Sequence, residues 1–279
     1  MRKVIGITVL LIFVGVVLSV VGFLMSDGSD LIIFQKAEYT LKELSYEQTE
    51  IKDFSIILSN REVVIIPSDT DQIVITYYES EYDWFEVETD GEQLEIINRT
   101  KWYIGISWGL FNIVSDEYTK VEIQLPIAVI DYEIDITTSN GTIDLNDLTQ
   151  LKELKLKSSN GTIRVNDVHV TDYFKLDTSN GKILVDNVSS DVLMIVHTSN
   201  GEINLDNVTT NDIDASTSNG PIEVRIIGQY EDYRVEMDTS NGSNYIDGEE
   251  RNDSVYNPLQ SNEIKLDTSN GSIRLYFID

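Results

Sequence analysis

The phrase Ser-Asn-Gly recurs seven times in the second half of this chain, at Ser139–Gly141, Ser159–Gly161, Ser179–Gly181, Ser199–Gly201, Ser218–Gly220, Ser240–Gly242 and Ser269–Gly271. Successive copies are 20, 20, 20, 19, 22 and 29 residues apart. A period near twenty residues marks a structure that repeats along one axis, each unit burying its apolar face against the next. Such a stack offers a long regular surface and no single converging pocket, so the repeat itself points to a scaffold.

Each regular unit has the same grammar. In the first, Ile134 and Ile136 alternate with polar residues, Thr138-Ser139-Asn140-Gly141 follows, then Ile143 and Leu145 alternate, and Leu148 lies three residues on. Alternation with period two reads as strands on either side of a turn. Asn140/Gly141, Asn160/Gly161, Asn180/Gly181, Asn200/Gly201, Asn219/Gly220, Asn241/Gly242 and Asn270/Gly271 are the expected turn residues, because both types tolerate positive φ. Two all-β architectures fit. One is an antiparallel meander of hairpins, since Asn-Gly between alternating strands is a strong hairpin signal. Seven hairpins, however, would make about fourteen strands, beyond the roughly ten that twisted open sheets reach. The other, which we favour, is a single-stranded β-solenoid of about 20-residue coils, in which units stacked every ~4.8 Å place equivalent residues over one another. It predicts a hydrogen-bonded ladder of Asn140, Asn160, Asn180 and Asn200, and an internal column of Ile143, Ile163, Ile183 and Ile203.

Four segments follow from the chain's organisation. Residues 1–29 hold a short N-terminus and an uncharged run from Val4 to Met25. Its 22 residues reach ~33 Å as a helix, enough for a ~30 Å hydrocarbon core. Arg2 and Lys3 precede it and acidic residues follow, which predicts a single-pass anchor in the cytoplasmic membrane with the N-terminus inside and the bulk of the chain outside. A cleaved signal peptide has a shorter apolar region and a small-residue cleavage site, absent here. Residues 30–53 form a juxtamembrane linker, with a stalk or short helix at Glu38–Glu47. Residues 54–130 carry degenerate coils, in which Ser59-Asn60-Arg61 and Thr89-Asp90-Gly91 are worn copies of the turn. Residues 131–279 are the regular array. Gly248–Asn262 is a polar insertion expected to bulge as a loop, and the array ends abruptly at Ser272–Asp279, an edge expected to be free or to pair end-on with a second copy.

The chemistry available is narrow. Cysteine is absent and only His169 and His197 are present, so thiolate sites, disulfides and multi-histidine metal centres are excluded. With 48 acidic and 20 basic residues the net charge is −28, which repels nucleic acid. Asp144, Asn146 and Asp147, with Asp186-Asn187 and Asp206-Asn207, supply hard oxygen ligands of the kind calcium takes, but no EF-hand loop or glycine-rich calcium repeat accompanies them, and they read as solvated charges. Lys175 with Asp177, and Glu223 with Arg225, alternate outward as ordinary strand residues. No cofactor, metal site or catalytic residue is assigned, and the chain is expected not to be an enzyme. The one irregular feature is the aromatic segment from Trp102 to Phe111. Trp102, Tyr103, Trp108 and Phe111 there are either a hydrophobic cap on the open end of the stack or a contact loop for a partner or the membrane interface.

The N-terminal anchor, Val121-Glu122-Ile123-Gln124-Leu125-Pro126 leading into the array, and the T-S-N-G-x-I units together resemble a bacterial family of adhesin-like proteins built of β-strand repeats, a domain of unknown function. Within it the chain is similar to the membrane-anchored LiaG-type proteins associated with cell-envelope stress. The resemblance covers most of the chain from Phe54 onward. It implies a β-solenoid, an envelope location, an envelope protein as partner and no catalysis, and it supplies no catalytic residues. Binding of cell-wall polymer or another surface ligand is the alternative role.

Overall fold

The computed structural model describes residues 38–101, 116–126, 131–148 and 150–278, with Gly15. The anchor and the aromatic segment lie outside these residues. Among the described residues no helix is long and apolar enough to cross a membrane. Tyr39–Thr100 and Val114–Asp279 form one compact unit.

The first half of that unit contains β1 (Thr40–Glu47), β2 (Asp53–Leu58), β3 (Glu62–Ser68), β4 (Gln72–Glu79), β5 (Asp83–Asp90), β6 (Gln93–Thr100) and β7 (Lys120–Pro126). The array follows as β8 (Tyr132–Thr138), β9 (Ile143–Asn146), β10 (Leu151–Ser158), β11 (Ile163–Thr178), β12 (Ile183–Ser190), β13 (Met194–Thr198), β14 (Ile203–Val208), β15 (Asp212–Thr217) and β16 (Ile222–Ile227). The end of the chain supplies β17 (Tyr233–Thr239), β18 (Asn244–Ile246), β19 (Glu249–Arg251), β20 (Val255–Tyr256), β21 (Asn262–Thr268) and β22 (Ile273–Ile278).

Every pairing between regular coils is parallel, and the register shifts only at Leu151/Glu153 and Leu205/Val208. Ile143, Ile163, Ile183, Ile203, Ile222 and Ile273 stand over one another, as do Leu154, Phe174 and Met194. The stack is therefore solenoidal, and the hairpin meander is ruled out. The inward columns are the alternating apolar residues of the repeat, and Ile143, Ile163, Ile183 and Ile203 are each 0% exposed. Burial of a Leu or Ile is worth ~1.5–3 kcal/mol, so the columns supply the main driving force.

The order of coils in space is not their order in the chain. On the side preceding the turn, parallel pairing runs β6–β2–β8–β10–β11–β13–β15–β21–β17. On the side following it, the order is β7–β3–β9–β11–β12–β14–β16–β22–β18. At the N-terminal end β2 and β3 come first, and β6 and β7 are added outside them before the chain passes to β8 and β9 on the other side. At the C-terminal end, by contrast, the chain skips a level and then fills it. The last coil, β21 and β22, is wedged between β15/β16 and the outermost β17/β18. The C-terminal strand thus lacks the free edge expected of it: Ile273–Leu275 is flanked by β16 and β18. The insertion expected as a loop is instead the cap. Its β19 pairs antiparallel with β18 and its β20 with β17, covering both outermost edges with Glu249, Glu250 and Arg251 among the covering residues.

The other end is closed in the same manner. β5 pairs antiparallel with β6, while β4 pairs with β7 and β1 with β4. The stalk or helix expected at Glu38–Glu47 is therefore strand β1, whose Leu44 and Tyr46 pack on the core. Thr89-Asp90-Gly91 is not a worn array turn either. It is the tight turn of the β5–β6 hairpin, where Gly91 has φ 63°. Ser59-Asn60-Arg61, by contrast, is a true member of the array, because β2 and β3 stack directly on β8 and β9.

Candidate functional site

The Thr-Ser-Asn-Gly turns are the most regular polar feature, and each position has its own task. The asparagine amides form one continuous ladder. Asn140 Nδ2 donates to Asn60 Oδ1, and the bonds continue Asn160 to Asn140 (2.6 Å), Asn180 to Asn160 (2.7 Å), Asn200 to Asn180 (2.8 Å), Asn219 to Asn200 (2.7 Å), Asn270 to Asn219 (2.8 Å) and Asn241 to Asn270 (2.9 Å). The glycines are required for a reason other than positive φ. A Cβ on Gly181 would lie 1.8 Å from the Gly161 carbonyl oxygen, and one on Gly161 would lie 1.7 Å from that of Gly141. Each glycine is a point of backbone contact between coils. Left-handed residues occur instead at the next corner, where Asp147, Asp167, Asn187 and Asn207 have φ between 51° and 59°.

The residue before Ser-Asn-Gly carries a role that sequence reading missed. Thr178 is 1% exposed, and its Oγ1 donates to Gly161 O (3.1 Å) while accepting from Gly181 N (3.2 Å). Ser158 and Thr138 bridge their neighbours in the same way. Only Ser or Thr stands at this otherwise inward, apolar-facing position of the repeat, and that restriction was the available signal. These hydrogen bonds give the turns a structural task.

Of the carboxylates considered for calcium, Asp144, Asp186 and Asp206 are engaged in pairs, as is Asp167 beside them. Asp144 meets Arg164 at 2.9 Å, Asp206 meets Arg225 at 3.3 Å, Asp167 accepts from Asn187, and Asp186 accepts from Asn207 at 3.1 Å. Among the described residues no three His, Asp or Glu side chains converge. His169 Nδ1 lies 2.7 Å from Ser189 Oγ and its Nε2 3.3 Å from Asp191, whereas His197 faces Asp214 at 3.8 Å. Glu223 and Arg225 pair at 2.7 Å. A shallow depression of about 280 Å³ is lined by Leu193, Asp212, Asp214, Glu263 and Lys265. Burial raises the Asp212 carboxyl above its ordinary value, and its Oδ1 accepts from Glu263 N at 2.8 Å. These side chains answer to their neighbours across the strands rather than to a common point.

The N-terminal end is where local structure departs from the repeat. In the stack a Cβ at the glycine position points toward the preceding coil, and in the coil beyond Arg61 the sequence between β6 and β7 holds no Ser-Asn-Gly turn. That position can therefore carry a side chain. Arg61 is 2% exposed, pairs with Asp83 at 2.5 Å, donates to Tyr118 O and lies 5.2 Å from the Phe85 ring centre. Asp83 also accepts from Asn98 Nδ2 at 2.7 Å. Arg61 thus ties turn, hairpin and the helical turn Asp116–Thr119 together. Tyr118 stacks on Tyr39 at 4.9 Å and meets Tyr78 edge-on at 5.1 Å. Thr100 pairs with Asp83, so both flanks of the aromatic segment and the start of β1 are held by the same constellation. Trp102, Tyr103, Trp108 and Phe111 themselves lie outside the described residues.

A model of the Toastrack DUF4097 family matches residues 51–243. No curated protein is significantly similar in sequence. Among solved structures, a "putative adhesin" from Bacteroides fragilis is 15% identical with a TM-score of 0.43, covering 86% of this chain and 97% of that one. A "putative cell adhesion protein" from Clostridium sporogenes is 15% identical with a TM-score of 0.39, over 87% and 100% of the two chains. A "putative lipid binding protein" from Parabacteroides distasonis is 13% identical with a TM-score of 0.39, over 87% and 97%. These three likenesses are too loose to bear on architecture or role.

Proposed function

The chain belongs to the Toastrack DUF4097 family, and from that premise we propose that it is a non-catalytic, membrane-tethered scaffold of the cell envelope that works through a protein contact at its N-terminal end. The observation that carries this reading is the constellation around Arg61. Tyr39, the start of the described chain after the apolar run, stacks on Tyr118 at 4.9 Å, and Tyr118 also receives Arg61. Tyr39 and Tyr118, which follow the tether and the aromatic segment in the chain, thus meet at one end of the described stack. A buried ion pair there costs desolvation and is weak as a source of stability, but it fixes a unique arrangement.

The strand edges at that end are already covered by β5 and by β4 with β1. A cap made of the aromatic segment is therefore not needed to blunt them, which leaves Trp102, Tyr103, Trp108 and Phe111 for contact. The apolar run from Val4 to Met25 serves as the anchor, with the array outside the cytoplasmic membrane. Replacing Trp102 and Trp108 together by Ser tests the contact. The expected result is an unchanged melting transition with loss of the associated protein from detergent extracts. Aggregation of the double variant would mean that the segment is a cap.

A second reading, binding of a surface ligand as an adhesin does, draws on a separate observation. On neighbouring outer strands Arg225 lies 5.5 Å from the Tyr276 ring and Arg274 lies 5.6 Å from that of Tyr245. Arg225 is already held by Glu223 and Asp206, so it is Arg274 beside Tyr245 that would meet an anionic saccharide. Loss of binding to isolated wall polymer on Arg274→Ala, with the tryptophans intact, would favour that role.

A further inference from the structure

The seven Asn-Gly pairs share one sequence and differ in what covers them. Six asparagines, from Asn140 to Asn219 together with Asn270, both donate through Nδ2 and accept through Oδ1 in the ladder. Asn241 is the last rung. It donates to Asn270 at 2.9 Å, and among the described residues no donor reaches its Oδ1. The following glycine differs too. Gly141, Gly161, Gly181, Gly201 and Gly220 are buried and Gly271 is half-buried, whereas Gly242 is exposed. No further coil lies over it, because β17 and β18 are outermost and β19 and β20 cover strands and not the turn.

We propose that Asn241 is a site of spontaneous, fold-selected deamidation. The Gly242 backbone nitrogen, having lost its proton to hydroxide, attacks Asn241 Cγ. A C–N bond forms to close a succinimide, the Cγ–Nδ2 bond breaks, and the amide nitrogen takes a proton from water, regenerating hydroxide, and leaves as ammonia. Water then opens the ring at either carbonyl, giving aspartate or isoaspartate. The reaction requires the side chain to swing out of the ladder and the Gly nitrogen to approach Cγ. In an interior rung that movement breaks two side-chain hydrogen bonds, or three at Asn160, Asn200 and Asn270, under a packed carbonyl. At Asn241 it breaks one, into open solvent. The product carries a carboxylate with no proton to give to Asn270 Oδ1, so it also removes the last rung of the ladder and adds a negative charge to the C-terminal end.

The test is peptide mapping by mass spectrometry of the full chain aged at mildly alkaline pH, folded and, in parallel, in denaturant. In denaturant all seven pairs are expected to deamidate at similar rates. In the folded chain Asn241 is expected to gain one dalton first, about fivefold or more faster than any other pair, the factor corresponding to one fewer side-chain hydrogen bond. Asn241→Gln should abolish that early signal without exposing another site. Equal rates at all pairs in the folded chain, or an interior pair reacting first, would overturn the proposal.

Discussion

At the residue scale, the structure separates two reasons for glycine that look alike in the sequence. Gly91 has φ 63° and open space where a Cβ would stand, whereas a Cβ on Gly181 would face a backbone oxygen at 1.8 Å. Asparagine tolerates positive φ but cannot shrink. Gly91→Asn is expected to be nearly neutral, and Gly181→Asn to cost ~3 kcal/mol or more through overpacking. Urea unfolding of the two variants checks this, and equal losses would mean that φ governs both sites. Tyr132 supplies a second prediction. It is 1% exposed, packs edge-on against Phe54 at 5.7 Å, and its hydroxyl has no partner among the described residues. Burial pushes its phenol up to about 12 from 10.0. The folded state holds that proton more tightly than the unfolded one, so this contribution is intact below pH 10.0 and stability falls as pH rises from there toward about 12. Tyr132→Phe should raise stability by ~1 kcal/mol at neutral pH, by removing an unpaired buried polar group, and should flatten the alkaline loss. A destabilised Phe variant would indicate that the hydroxyl is satisfied after all.

Among the elements, the two ends of the stack carry the information that period counting alone does not. The repeat predicts stacked coils, the ladder and the isoleucine column, because a fixed interval together with fixed identity leaves little else. It does not reveal that the coil of β21 and β22 is wedged inside that of β17 and β18, although the steps of 22 and 29 residues fall where the chain leaves its neighbour. Pairing across 51 residues, as between Asn219 and Asn270, depends on which edges the long connections can reach. Strand β1 escaped for another reason: its face is half-buried, so the alternation of Leu44 and Tyr46 is diluted by charges. The Arg61 constellation was equally hidden, since Asp83, Asn98 and Tyr118 are scattered along the chain. The wedge has a measurable consequence. Truncation after Ser261 removes one coil yet leaves β17 two strand spacings, or ~9.6 Å, from β15. Amides of β17 and β18 should then exchange as in the unfolded chain, while those of β10 to β13 stay protected. Retained protection in β17 and β18 would mean that they close directly onto β15 and β16.

For the molecule as a whole, charge sets the response to solution conditions. Desolvation raises the Asp53, Asp212 and Asp267 carboxyls above 3.8, and neighbouring carboxylates add to the shift at Asp53 and Asp267. The folded state therefore binds protons more readily than the unfolded chain just above pH 3.8, and stability falls as pH rises through that window. Glu122, lowered by its hydrogen bonds to Lys120 and Gln124, runs the other way but stands against three. The net charge of −28 works in the same direction as those three. The melting temperature should rise as pH is lowered from neutral toward the window just above 3.8. It should also rise with salt as the Debye length shortens from ~30 Å at 0.01 M to ~8 Å at 0.15 M. A melting temperature indifferent to both would mean that the carboxylates are balanced by the ion pairs between coils.

The proposed role rests on where contact is made, and photo-crosslinking in intact cells addresses that directly. One probe replaces Trp108, in the aromatic segment. A control probe replaces Lys182, an outward residue on the regular face that pairs with Glu202 at 2.9 Å. The account predicts a discrete protein adduct at position 108 and none at 182. Wall material captured equally at both positions, or no adduct at 108, would contradict a scaffold that works through its N-terminal end.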